Sequence, residues 1–196
     1  MAANGPNFWS SNTFEPKRAF RFLIEFTPLN LGQGGTDLDT DTNNLQFLAK
    51  AVSRPSYTVS SNPHKFFNHT FHYPGRVEWN TITLTLVDAV GSGNSSKIFM
   101  KYLDNIGYKN PSDLTTATAH TITKQTATNS MGRFLIREMG TDTAGNSESK
   151  GVWRLTNAFI TEVNFGEHSY DSEDMIDVQL TIQYDWANYS DTGNFT

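Results

Sequence analysis

Apolar and polar residues alternate along residues 174–186 of this 196-residue chain. Every second position is apolar, and all but one of the positions between them are polar. Because successive side chains of a strand point to opposite faces, the pattern predicts one long strand with an apolar face and a wet face. The apolar positions are Ile176, Val178, Leu180, Ile182, Tyr184 and Trp186.

The same period of two recurs in other parts of the chain. Residues 77–88 predict a second long strand, with Ile82, Leu84 and Leu86 on one face and Trp79, Thr81, Thr83 and Thr85 on the other. Threonine is common on the exposed face of a sheet. Further strands are predicted at 18–26, 133–139 and 152–165.

Residues 46–73 predict a hairpin or ribbon. Short strand candidates at 46–53 and 55–60 are followed by an aromatic, extended stretch at 64–73. Pro74-Gly75 is a turn signal and is expected to end that stretch.

One helix is predicted, over residues 94–107. Asn94, Ser95 and Ser96 offer N-caps, and Gly107 can close the helix. Its apolar stripe consists of Ile98, Phe99, Tyr102, Leu103 and Ile106. Polar stretches at 30–44 and 110–130 are expected to be loops.

These elements predict a mainly β protein, an antiparallel β-sandwich or barrel with one short α-helix, a long β-hairpin and extended loops. The chain length suits a single domain, 1–196. Within it we expect an N-terminal arm at 1–16, a β core at 17–186 and a polar C-terminal tail at 187–196.

Composition narrows the functional classes. The formal net charge is -5, and charged residues make up 18% of the chain against an average of about 25%. A general attraction to nucleic acid or to an anionic membrane is therefore not expected. The absence of cysteine excludes disulfides and thiolate chemistry. No apolar run is long enough to span a bilayer and no secretory signal pattern is visible, so we expect no membrane insertion and no Sec export.

An acidic stretch at 37–41 begins like a calcium-binding loop. The helix–loop–helix calcium motif then needs a glycine and a glutamate, but Thr42 and Leu48 stand at those positions. A solvated acidic loop is the preferred interpretation.

Neither the histidines nor the glycines form a recognisable site. His64, His69 and His72 fall within nine residues, but on a single strand His64 and His72 would lie about 26 Å apart. Gly91-Ser92-Gly93 precedes the helix without the lysine–serine pair of a phosphate-binding loop. We therefore expect no metal, no cofactor and no enzymatic activity.

Long strands that expose an uncharged face favour self-assembly. The edges of such strands promote aggregation unless they are covered or paired, and closing a ring of copies removes them. The arm carries Phe8, Trp9 and Phe14, which suit docking on the parent domain or on a neighbouring subunit. The alternative is a β-sandwich carbohydrate-binding module that uses Trp9 or Trp79.

The order of segments resembles the tail tube proteins of contractile-tailed (T4-like) bacteriophages. The resemblance covers residues 18–186 and depends on the whole series, since no single motif is diagnostic. The matching segments are the Phe-rich strand 18–26, the K-A-x-x-x-P element 50–55, the W-N-T-I-T-L-T-L-V-D strand 79–88, the helix 95–107, the K-G-V-W start at 150–153 and the Y-D-W ending at 184–186.

The resemblance implies a structural role in a phage tail. Six subunits would form a ring with a continuous inner barrel, and the rings would stack into a tube around the tape-measure protein, through which DNA later passes without specific binding. Tail sheath, baseplate and tail-terminator proteins are the implied partners. The location would be the virion, after assembly in the host cytoplasm. A baseplate protein that initiates the tube remains an alternative within the family.

Two sets of residues follow from the resemblance. The family's hairpin at 46–73 contributes to contacts between stacked rings, which implies an inter-ring role for Lys50, Arg54, Pro55 and Tyr57. A polar strand face would line the lumen or remain exposed, although the sequence leaves open which face does so. The candidates are Thr81, Thr83, Thr85, Asp177, Gln179, Thr181 and Gln183.

Overall fold

The computed structural model describes residues 17–27, 48–91, 94–113, 121–141, 147–171, 173–193 and 195. Within them the chain forms ten strands and two α-helices. The strands are β1 (Phe22–Thr27), β2 (Ala49–Val52), β3 (Tyr57–Phe66), β4 (His69–Trp79), β5 (Ile82–Val87), β6 (Arg133–Thr141), β7 (Ser147–Thr156), β8 (Phe159–Asn164), β9 (Asp177–Gln183) and β10 (Trp186–Ser190), and the helices are α1 (Ser95–Asn105) and α2 (Lys124–Met131).

Two antiparallel sheets and a separate hairpin make up the β structure. Sheet A has the strand order β1-β6-β7-β10, and sheet B has the order β2-β5-β9-β8. Among the described strands, β3 and β4 pair with each other and with no third strand. The chain crosses from sheet A to sheet B between β7 and β8, and returns between β9 and β10.

The apolar faces of both sheets share one hydrophobic core. Sheet A contributes Ile24, Phe134 and Ile136, and the rings of Phe26 and Phe134 meet edge to face with centroids 5.0 Å apart. The residues of sheet B with no exposed surface are Ile82, Leu84, Leu86, Val178, Leu180 and Ile182. The predicted mainly β fold is confirmed, as a sandwich whose sheets do not close into a barrel.

The long strand predicted at 174–186 is two strands in two sheets. Strand β9 ends at Gln183, and the Asp185 N–H donates to the Thr156 carbonyl at 3.0 Å where the chain crosses to sheet A. The alternation shifts by one residue at this crossing, since Trp186 is 45% exposed and Ala187 is buried. The predicted tail at 187–196 therefore begins with strand residues of β10.

The hairpin turns at a different place from the one predicted. Strand β3 reaches Phe66, and the turn follows at Phe67, whose φ is 49°. Pro74-Gly75 lies inside β4, at an irregularity in the ladder. A Cβ on Gly75 would lie 2.3 Å from the Ser60 Oγ, so the glycine permits close approach of the strands where a turn was expected.

The strand predicted at 77–88 is interrupted. Strand β4 ends at Trp79 and β5 begins at Ile82. Trp79 packs against the core although its sequence parity matches the exposed threonines, because the alternation does not continue through the break at Asn80-Thr81.

Helix α1 begins as predicted. The side chain of Asn94 accepts a hydrogen bond from the Lys97 N–H at 2.7 Å, and Asp88 accepts from the Ser95 N–H at 2.9 Å. Gly107, just beyond the helix, has a φ of 110°.

Helix α2 lies, except for its last residue Met131, within the span 110–130 that was predicted to be a loop. Thr123 and Thr126 form a capping box at its start. Ala127 and Met131 are buried, and the Tyr102 hydroxyl of α1 donates to the Ala127 carbonyl at 3.4 Å. Neither of the two described helices has the length and apolarity needed to cross a membrane.

Three stretches for which predictions were made lie entirely outside the described residues. They are the arm at 1–16 with its aromatic side chains, the loop at 30–44 with its acidic stretch, and residues 114–120 of the span 110–130.

Candidate assembly surfaces

Sheet B turns one face towards the core and the other, which is polar, away from it. Its central strands place Thr83 opposite Thr181 and Thr85 opposite Gln179. On β5 and β9 these residues alternate with the fully buried aliphatic residues, so the polar parity points away from the core. At its margin, the Ser53 Oγ accepts a hydrogen bond from the Thr83 N–H at 2.7 Å. We call this surface the polar face.

The polar face carries little charge. Lys50 forms an ion pair with Asp177, with Nζ and Oδ2 2.5 Å apart. On β8, Glu162 accepts a hydrogen bond from the Thr181 hydroxyl at 3.5 Å. Among the described strand residues of this face, Lys50 is the only cation, so the face is neutral to weakly acidic.

Five of the seven residues predicted for a lumen or exposed strand face are central to the polar face: Thr83, Thr85, Asp177, Gln179 and Thr181. Thr81 is exposed in the break before β5. Gln183 is half-buried at the end of β9 and lines a neighbouring groove.

The four predicted inter-ring residues do not form one cluster. Lys50 belongs to the polar face through its ion pair with Asp177. Pro55 is half-buried, and Tyr57 stands exposed at the base of the hairpin. Arg54 forms an ion pair with Glu138 of sheet A.

Glu138 is the centre of a charged cluster that links the two sheets. Its carboxylate lies 2.8 Å from an Arg54 nitrogen and 2.6 Å from the Lys17 Nζ, and it accepts a hydrogen bond from the Trp153 Nε1 at 3.2 Å. Partial burial alone would raise the pKa of Glu138, but the hydrogen bond from Lys17 and the charge of Arg54 outweigh it, so this pKa is lowered. Arg54 thus holds the end of β2 to sheet A within a single chain.

The hairpin β3–β4 continues the β2–β5 ladder beyond sheet B. Val52 lies opposite Leu84, and Tyr57 lies opposite Trp79, five residues further along each strand. The Asn80 N–H donates to the Ser56 carbonyl between these pairs, at 2.9 Å. The ladder thus keeps its register, and the hairpin extends sheet B in the direction of its strands.

Both hairpin strands are exposed along nearly their whole length. Beyond the ladder irregularity, one face gathers aromatic side chains, because Asn62 pairs with Tyr73, His64 with Phe71 and Phe66 with His69. Phe67 at the turn is 91% exposed. An isolated two-stranded hairpin is marginally stable in water, so this surface suits burial against another molecule.

The histidines of the hairpin are distributed over both faces. His64 pairs with Phe71, whereas His72 pairs with Pro63, the residue before His64, so the two imidazoles point in opposite directions. The single extended stretch predicted at 64–73 was wrong, because the turn at Phe67 puts His64 and His72 on different strands. No group of three histidines or carboxylates that could hold a metal ion occurs in the described part of the chain.

An apolar groove of about 780 Å³ runs between the two helices and the free edge of β8. The Tyr102 hydroxyl, whose pKa is raised by burial, accepts from the Ile160 N–H at 3.2 Å and so satisfies one backbone group of that edge. Met100, Ile122 and Phe165 line the groove and are partly exposed. The sequence did not indicate this groove, because Lys124 and Ala127 of α2, a helix that was not predicted, complete its wall.

Trp79, which was considered as a sugar platform, is engaged within the chain. Its ring meets Tyr57 edge to face at 5.4 Å between centroids and lies 5.9 Å from Tyr184. The second candidate tryptophan, Trp9, lies outside the described residues.

The same fold occurs in components of contractile injection systems. A chain in the cryo-EM structure of the anti-feeding prophage tube-terminating cap matches with a TM-score of 0.59 and 17% identity, over 98% of this chain and 100% of that one. A chain in the sheath-tube complex of PVC, an extracellular contractile injection system, matches with a TM-score of 0.56 and 18% identity, over 92% of this chain and 95% of that one. A chain in the anti-feeding prophage baseplate matches with a TM-score of 0.58 and 14% identity, over 93% of this chain and 100% of that one.

No protein-family model matches the chain, and neither does any curated protein sequence. At identities below about one fifth, the likeness shows a common fold. The resemblance to contractile tail tube proteins is thereby confirmed at the level of the fold.

Proposed function

We propose that the protein is a structural subunit of the tube of a contractile tail or injection system. Six copies form a ring, and the rings stack into a hollow tube that conducts the tape-measure protein and DNA. The observation that carries the proposal is the form of sheet B, which has one buried apolar face, one polar face of little net charge, and an edge strand at each side. The shared fold supports the same role.

Ring closure follows from the two edges of sheet B. Among the described strands, β2 ends the sheet on one side and β8 on the other. Pairing β2 of one copy with β8 of the next repeats a head-to-tail contact, which closes into a ring when the rotation between copies allows it. The groove beside β8 then offers Met100, Ile122 and Phe165 for burial against the neighbouring copy.

The polar face lines the lumen in this arrangement. Threonine and glutamine side chains keep the wall wet, and the cation Lys50 is already paired with Asp177. Phosphate binding depends on lysine and arginine, so DNA passes such a wall without being held. The mechanism is assembly and passive conduction, with no catalytic step.

The remaining partners follow from the same role. A tail sheath surrounds the tube, a baseplate starts it and a tail terminator ends it, in a particle assembled in the host cytoplasm. The matched chains come from a sheath-tube complex, a baseplate and a cap, which supports this set of partners.

A baseplate tube initiator is the second candidate. The match to a chain in the anti-feeding prophage baseplate over 93% of this chain favours it. An initiator forms rings that do not polymerise by themselves, whereas a major tube subunit polymerises alone.

Ring closure is tested by placing a charge in the groove. Ile122 is 51% exposed there, and Ile122→Glu would bury a carboxylate between copies. We expect ring formation to weaken by about tenfold or more, since an unpaired buried charge is strongly unfavourable. Sedimentation velocity would then show the 22.0 kDa monomer where the unmodified protein forms rings.

Val90→Glu is the matched control. Val90 is fully exposed in the turn after β5 and does not line the groove. If Val90→Glu forms rings while Ile122→Glu remains monomeric, closure through the groove is supported. Equal ring formation by both variants contradicts it.

A further inference from the structure

The two ends of sheet B carry opposite charge. The hairpin tip, residues 61–76, contains Lys65, Arg76 and three histidines but no Asp or Glu. The acidic loop, residues 165–176 between β8 and β9, contains four carboxylates and one histidine but no Lys or Arg. Its acidic residues are Glu167, Asp171, Glu173 and Asp174, and all four are exposed.

These two surfaces lie at opposite ends of the same strands. The base of the hairpin adjoins Ile82, which pairs with Ile182. The acidic loop leads into Asp177, which pairs with Val87. Strand β5 separates these ends by six residues, or about 20 Å. Because the hairpin continues the β2–β5 ladder, its tip points away from the loop.

Both surfaces also expose apolar side chains. The tip presents Phe66, Phe67, Phe71 and Tyr73, and the loop presents Tyr170 and Met175, which are exposed as well. Among the described residues, neither Lys65 nor Arg76 forms an ion pair within the chain. Aromatic contacts and free cations are thus available together at the tip.

We propose that the hairpin tip docks on the acidic loop of a second copy in the next ring, and that this pairing of charge sets the direction of stacking. The inference rests on the proposed function and adds to it the surface that receives the hairpin tip and the direction in which the rings stack. When rings stack along the strand direction, every interface brings a basic tip to an acidic loop. Stacking in the reverse sense brings tip to tip or loop to loop, where like charges repel.

Charge reversal on each surface tests the pairing. Lys65→Glu with Arg76→Glu reverses the charge of the tip. Glu167→Lys, Asp171→Lys and Glu173→Lys together reverse the charge of the loop, because three of its four carboxylates become cations. Each of these two variants should raise the concentration needed for tube formation by about tenfold or more, because like charges then meet at every interface. The combined variant, with all five substitutions, carries a negative tip and a positive loop, so it should regain tubes.

The readouts separate rings from tubes. Sedimentation velocity reports rings, negative-stain electron microscopy reports tubes, and circular dichroism reports folding. Lys97→Glu with Arg133→Glu is the matched control for the tip variant, since it makes the same charge change at exposed residues of α1 and β6 and should leave stacking unchanged.

Normal rings with impaired tubes in the tip variant and in the loop variant, and restored tubes in the combined variant, support the pairing. Tubes at unchanged concentration in both the tip variant and the loop variant overturn it, and so does a combined variant that stacks no better than either. Absence of rings from the unmodified protein would instead refute the proposed function, and the pairing with it.

Discussion

Glu138 connects sheet A to two segments that precede other strands. Lys17 lies shortly before β1, and Arg54 lies between β2 and the hairpin, so a single carboxylate holds both in place. The side chain of Glu138 is only 14% exposed, whereas those of Lys17 and Arg54 are 47% and 63% exposed. Charge-assisted hydrogen bonds to a largely buried group are worth more than exposed ion pairs.

The lowered pKa of Glu138 makes this contribution pH-dependent. The carboxylate binds protons less readily in the folded chain than in the unfolded one, so its stabilisation is present above the ordinary value of 4.5 and is lost as the pH falls through the folded pKa. We expect Glu138→Gln to lower the free energy of unfolding by about 1–2 kcal/mol near neutral pH and by less near pH 3, which is below the ordinary value. Urea denaturation at the two pH values measures the difference.

Glu148→Gln is the control for that measurement. Glu148 pairs with Lys150 at an exposed site, where such pairs contribute about 0.5 kcal/mol or less. Equal losses in the two variants, or a loss for Glu138→Gln that does not change with pH, would contradict the role assigned to Glu138.

At the residue scale, sequence patterns predicted which side chains are buried better than which side chains form ion pairs with each other. Leu84 and Leu180 lie in the core because strand parity is local and period two is readable. The partner of Arg54 is 84 positions away in the chain at Glu138, and only the completed sandwich brings them together. Arg54 was therefore assigned to a contact between rings on resemblance alone.

At the element scale, sheet B has the clearest division between its faces. Leu84 has no exposed surface and pairs with Leu180, whereas the next residue, Thr85, points to the polar face. We expect Leu84→Ala to destabilise the fold by about 2–5 kcal/mol through loss of buried surface and the cavity left behind. Thr85→Ala should change stability by about 0.5 kcal/mol or less.

Chemical denaturation of both variants in dilute solution provides the comparison. A large loss for Leu84→Ala beside a small one for Thr85→Ala is expected from the parity of β5. Similar losses would mean that the polar face is also packed within the subunit, which contradicts its assignment as a free surface.

The sequence pattern did not predict where a strand ends when the chain passes from one sheet to the other. The alternation at 174–186 looks continuous, yet Asp185 leaves sheet B because its carboxylate is held by Lys124 and Asn157, whose hydrogen bonds lower its pKa. Helix α2 was missed because it has few aliphatic residues and depends on capping and on packing against α1. The Pro74-Gly75 signal marked a ladder irregularity, which the same residues favour.

At the scale of the whole molecule, the sandwich presents a polar face of little net charge, two strand edges and a hairpin that projects beyond the core. The fold class was readable from strand periodicity alone. The projection of the hairpin was not, because it depends on the register that β2–β5 and β3–β4 share. Each of these surfaces is costly for an isolated monomer and useful in an assembly.

Electron microscopy of the purified protein across concentration and salt tests the central claim most directly. The account predicts rings of one diameter with sixfold symmetry that stack into hollow tubes as concentration rises, with stacking weakened by salt because opposite charges meet between rings. A protein that is folded by circular dichroism but remains monomeric under all of these conditions would contradict the account.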